Sequence, residues 1–148
     1  MPYLRISCPA LDAAQRRHMA EELTAAITDL FYNPRTQLSR EELRERTTVH
    51  FFPYAEGEIF IGARTPATRG HTDITVELSD WSMSVAQQRK VAVDLTPRLA
   101  ALFGVPPDQL DAINIRFHSY SPTDFAVGGK LLSDMVPRIG QFMKRLFG

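Results

Sequence analysis

The stretch "AAQRRHMAEELTAAITDLF" at 13–31 returns, altered, as "VAQQRKVAVDLTPRLAALF" at 85–103. Eight of the aligned pairs are identical, among them Gln15/Gln87, Leu23/Leu95, Thr24/Thr96 and Phe31/Phe103. Both copies space their apolar residues as a helix does: Met19, Leu23, Ile27 and Leu30 in the first, Val91, Leu95, Leu99 and Leu102 in the second. Asp12 and Ser84 stand just before them. Both suit an N-cap, where a side-chain oxygen accepts from a backbone N–H of the first turn. Pro97 lacks the amide that a helix interior uses, so it should kink the second helix or leave a carbonyl free.

The matching extends both ways. Downstream, "VHFFPYAEGEIFIGA" (49–63) lies over "IRFHSYSPTDFAVGG" (115–129), with Phe51/Phe117, Tyr54/Tyr120 and Gly62/Gly128 coinciding. Upstream, "PYLRIS" (2–7) matches "ITVELS" (74–79) in alternation and in its final serine. Each half, 2–63 and 74–129, therefore reads strand, helix, strand, short hairpin. A helical crossover makes the strands that it joins parallel. The expected fold is α+β: two βαβ repeats forming a four-stranded mixed sheet, with two helices on one face. The other face is left bare and calls for a partner, so an oligomer is expected.

"GARTPATRGHTD" (62–73) reads as the linker between the halves. The tail carries Met135, Ile139, Phe142, Met143 and Leu146 on one helical stripe, which predicts a C-terminal helix over 133–147 packed on the body or on a neighbour. "RRHMAEE" and "REELRER" read as solvated helix surface. The 148 residues suit one domain with a real core. Lys+Arg and Asp+Glu balance at 17 each, which argues against a nucleic-acid or anionic-membrane binder. With one cysteine, Cys8, no internal disulfide can form, and no Cys/His metal spacing occurs. No signal peptide or spanning apolar run is evident, so a cytoplasmic protein is the default.

The chain begins "MPYLRIS". Proline is tolerated at the start of an edge strand, which is one reading of Pro2. The other is chemical. Cells usually trim an initiator methionine before a small residue or proline, and trimming would leave Pro2 as a free secondary amine.

"MPYLRIS", "TTVHFFP", the hairpins "IFIGA" and "FAVGG", and "PPDQLDAINIRF" together resemble the tautomerase superfamily over roughly residues 2–130. Its members include oxalocrotonate tautomerase, carboxymethyl-hydroxymuconate isomerase and macrophage migration inhibitory factor. The resemblance implies a ring of three four-stranded units, with the amino-terminal proline as catalytic base. It implies cofactor-free proton transfer between carbons next to a carbonyl, on a small acidic substrate such as a 2-keto acid or its enol. Pro2 is the base candidate. The second half has Ile74 at the matching position, so each chain offers one such base.

Alternation puts Phe51 and Phe117 toward the helices, and puts Thr48, His50 and Phe52, with Asn114, Arg116 and His118, on the opposite face. Asn114 matches an asparagine of the migration inhibitory factor site and could serve as a substrate donor or as an interface hydrogen bond. Arg116 offers a fork of donors for a carboxylate, or a salt bridge between subunits. Phe125 falls at an aromatic wall in the resemblance, or belongs to hairpin core. His50 is a pocket candidate or a satisfied structural histidine. The pattern also departs from the family's: Leu11, Thr48 and Asn114 stand where oxalocrotonate tautomerase has arginines. "SDWSMS" (79–84) lacks the arginines of the chloroacrylate dehalogenases, which argues against dehalogenation. Arg46 and Arg35, in or beside the longer first connection, are candidate replacements. These gaps leave open a second class, an oligomeric binding member of the same fold.

Overall fold

The computed structural model describes residues 1–36 and 38–136. Strand β1 (Tyr3–Pro9) leads into helix α1 (Ala13–Phe31), a short helix α2 (Arg40–Glu45) and strand β2 (Thr48–Tyr54). After helix α3 (Pro66–Arg69) the pattern repeats as β3 (Ile74–Trp81), α4 (Val85–Phe103) and β4 (Ile113–Tyr120). A two-stranded hairpin, β5 (Ala126–Val127) and β6 (Lys130–Leu131), precedes helix α5 (Leu132–Met135). The rest of the expected tail helix, from 137, lies outside the described residues.

The four long strands form one mixed sheet in the order β2-β1-β3-β4. Strands β1 and β2 are parallel, as are β3 and β4, and β1 meets β3 antiparallel at the centre. Every second residue of the central strands is buried: Leu4, Ile6 and Cys8 on β1, and Ile74, Val76 and Leu78 on β3. They pack against Leu23 and Ile27 of α1 and Val91, Leu95 and Leu99 of α4. Phe51 and Phe117 pack against the same core, as alternation requires.

Asp12 and Ser84 cap α1 and α4, their side chains accepting from the Gln15 and Gln87 amides. Helix α4 runs unbroken through Pro97, which is exposed. It lies on the outer side of the helix, near the 72 % exposed Val93, whose carbonyl has no Pro97 amide to accept from. Gly62–Ala63 and Gly128–Gly129 each turn with two positive φ angles, the geometry of a tight hairpin turn. The linker is more ordered than its composition implies. Arg69 on α3 donates to both oxygens of buried Asp73, at 2.8 and 2.9 Å.

Candidate functional site

The chain start is built into the sheet. Pro2 is fully buried and continues the inward-facing set of β1. Its carbonyl accepts from the Thr48 amide at 3.0 Å, which ties it to the start of β2. The Met1 amine donates to Asp80 Oδ1 at 2.6 Å and to the Tyr120 hydroxyl at 3.2 Å. Asp80 is 1 % exposed. A carboxylate so buried is costly unless charge-paired and hydrogen-bonded, and the amine supplies both. Burial, and then the Asp80 carboxylate, push the Tyr120 hydroxyl well above the usual phenol range, so it stays protonated. Phe125 stacks on Tyr120 with ring centroids 5.6 Å apart, which puts it one ring away from the amine.

A matching cluster lies on the other half. Tyr54 aligns with Tyr120, and the spacing that matches the first strands aligns Cys8 with Asp80 and Asp73 with Met1. Tyr54 donates to the Asp73 carbonyl at 2.8 Å, just as the Tyr120 hydroxyl lies 3.5 Å from the Met1 carbonyl. Where the start of the chain faces Asp80, the interior of the chain faces Cys8. Burial pushes the Cys8 thiol up to about 11, partly offset by Arg16. Burial, with Asp73 and Cys8, pushes Tyr54 up to about 12.

The remaining candidates stand elsewhere within the chain. His50, Arg5, Glu77 and Arg116 form one row across the open sheet face. The Tyr3 hydroxyl and His50 Nδ1 are 3.0 Å apart, and the His50 ring lies 4.1 Å from that of Phe52. A small cavity of about 190 Å³ lies on this face among Arg5, Ser7, Phe52, Thr75 and Glu77. Asn114 pairs with Thr75, and Arg116 with Glu77. Both therefore lie on the face opposite the inward-facing Pro2, and Asn114 is toward the other end of β4. One chain does not bring them to Pro2. Arg46 caps the C-terminus of α2 and pairs with Glu42 at 3.8 Å, two residues before the amide that holds Pro2. Arg35 lines a groove of about 450 Å³ between the end of α1 and the start of α4, with Tyr32, Gln87 and Lys90.

Sequence reading missed Asp80 and gave Tyr120 no role in the site. The available signal was a break in the repeat: an inward position of a core strand carries cysteine in one half and aspartate in the other. Among the described residues no three His, Cys, Asp or Glu side chains converge as a metal site would need.

No protein-family model and no curated protein matches the chain. Solved structures do. Native fused 4-OT is 20% identical, with a TM-score of 0.70 over 90% of this chain and 98% of that one. N1, a member of the cis-3-chloroacrylic acid dehalogenase family, is 18% identical, with a TM-score of 0.67 over 96% and 97%. Macrophage migration inhibitory factor from Toxoplasma gondii is 18% identical, with a TM-score of 0.63 over 87% and 98%. The arrangement of β1-α1-β2 and β3-α4-β4 is common ground with all three, and the chain has the fold of the tautomerase superfamily.

Proposed function

We propose that the chain is a cytoplasmic, cofactor-independent tautomerase, with Pro2, freed by loss of Met1, as its general base. It moves a proton between carbons of a 2-keto acid or its enol, of the phenylpyruvate or hydroxymuconate kind. The observation that carries this reading is the seat of the chain start: Pro2 is buried, and the amine beside it is held by Asp80 and Tyr120. Loss of Met1 uncovers a nitrogen two bonds from the carbonyl oxygen that Tyr120 contacts. The neutral amine takes a proton from the carbon next to the carbonyl. A donor stabilises the enolate oxygen, and the ammonium returns the proton at that oxygen in a simple enol or at the far carbon of a conjugated dienol.

In this reading the site is completed by a neighbouring copy. Arg116 and Asn114 face away from Pro2 in their own chain, and serve as carboxylate clamp and donor for a Pro2 elsewhere in a homotrimer. His50 and Phe52 line the same open face, Phe125 walls the pocket through Tyr120, and Arg46 supplies a cation near the Thr48 amide. Pro2→Ala, with loss of Met1 verified by mass, should ketonise phenylpyruvate enol at least a hundredfold more slowly than the parent. An equal rate removes the base. A second reading, a binding member of weak activity, is favoured if Met1 stays in place, because its amine then holds Asp80 and the Pro2 nitrogen is an amide.

A further inference from the structure

We propose that Asp80, with Tyr120, seats the Pro2 amine once Met1 is gone, and is therefore a positioning residue for the base. The proposal rests on the reading of Pro2 given above. Its ground is an internal comparison. At the two matched positions, Tyr54 and Tyr120 make the same kind of contact to a main-chain carbonyl, that of Asp73 in one half and of Met1 in the other. Both matched inward positions are buried, Cys8 at 0 % and Asp80 at 1 % exposure. The fold accepts an apolar thiol at this place. It carries a carboxylate where the facing segment presents the Met1 amine.

Covalent geometry carries the argument from Met1 to Pro2. The two nitrogens are three bonds apart, so with the Met1 amine 2.6 Å from Asp80 the Pro2 nitrogen lies within roughly 6 Å of that carboxylate. At this range an opposite charge favours the charged form of an amine. Among the described residues, the titratable groups whose contacts with the amine are resolved are Asp80 from β3 and Tyr120 from β4, and Tyr120 stays neutral. From the β2 side the contact is the uncharged Thr48 amide, and Arg46 beyond it is half exposed and paired with Glu42. Asp80 thus holds the ammonium form, aims its N–H, and raises the pH at which the amine becomes a base.

The test is a titration of the Pro2 amine by NMR in mass-verified, Met1-free protein carrying ¹⁵N-proline. In the parent the amine should titrate above its value in the urea-unfolded chain. In Asp80→Asn, and in Asp80→Cys, which borrows the residue of the other half, it should titrate about 1–2 units lower than in the parent. The acid limb of kcat/KM should move to lower pH by the same amount, whereas a purely structural role would leave the limb in place. A parent value at or below that of the unfolded chain overturns the proposal even if neither variant folds. So does an unmoved value in a folded variant. The titration needs no turnover, so it is independent of the Pro2→Ala rate that tests the base itself.

Discussion

Arg5 and Glu77 are matched residues of the two halves, and they also face each other across β1 and β3 with their charges 3.7 Å apart. An approximate twofold axis thus passes between them, and β1 and β3 run outward from it in opposite directions. The relation explains why Pro2 lies by Asp80 and Ile74 by Cys8. Arg5 also covers the Phe52 ring at 4.2 Å. The ion pair is about half exposed, so each contact is small. Arg5→Ala should cost about 1 kcal/mol in urea unfolding, and Arg5→Lys less. A cost several times larger would mean that this row carries the sheet.

Part of the alkaline limit of stability is set at the opposite end of β1, where Cys8 is the first of the buried acids to ionise in the unfolded chain. Cys8 is raised from 9.0 to about 11 and Tyr54 from 10.0 to about 12, both chiefly by burial. An acid whose folded pKa is raised keeps its proton in the native state after the unfolded chain has lost it. Stability is then intact below the unfolded values and falls as pH rises through them. Urea midpoints should drop from about pH 9 upward, and the drop should be shallower in Cys8→Ala and Tyr54→Phe. Midpoints that stay flat to pH 11 would contradict the burial of both groups.

Gln15 and Gln87 are identical residues at the same turn of matched helices, yet their amides differ. Gln15 Oε1 accepts from the Asp12 amide at 2.9 Å and completes a capping box. Gln87 is buried, and its Oε1 has no partner among the described residues. Leaving a buried acceptor unmade costs about 1–3 kcal/mol. Gln87→Met should therefore be neutral or stabilising, whereas Gln15→Met should destabilise by roughly 0.5–1 kcal/mol through loss of the reciprocal half of the capping box. Thermal melts of the two variants check this, and the reverse ranking would sink it.

The parallel strand pairs, helix faces, caps and the open face were legible because they follow from alternation, helical spacing and the crossover connection, whereas the order β2-β1-β3-β4 depends on how the two halves meet. Cys8 and Ile6 point inward, and Arg5 outward, by alternation alone. The partnership of Asp80 was not legible. A lone aspartate in "ELSDW" carries no local sign that its carboxylate meets the chain start, 79 residues earlier. The order of the linker was hidden likewise, because the Arg69–Asp73 pair depends on a single turn of helix that composition disguises as a loop. Arg116 was placed on the correct face, but face alone does not say which Pro2 it would serve.

Arg116 tests the shared site. A charge-assisted hydrogen bond contributes about 1.5–3 kcal/mol, or roughly tenfold to a hundredfold in binding. Arg116→Ala should raise KM for acidic substrates by that factor. Arg116→Lys should recover part of it, since a point charge lacks the fork. Mixing Arg116→Ala with Pro2→Ala chains should restore some activity if the proposed trimer shares its sites, because mixed rings would then contain sites with one intact Pro2 and one intact Arg116. If KM is unchanged while light scattering shows the oligomer falling apart, Arg116 is an interface ion pair.

The Pro2 nitrogen is an amine only when Met1 is gone. The most direct measurement is the intact mass of the chain purified from its native source. The proposed base predicts a mass that corresponds to a chain with Pro2 as its first residue. A mass that includes Met1 contradicts it. The nitrogen is then an amide without basic character, and Asp80 holds the Met1 amine instead.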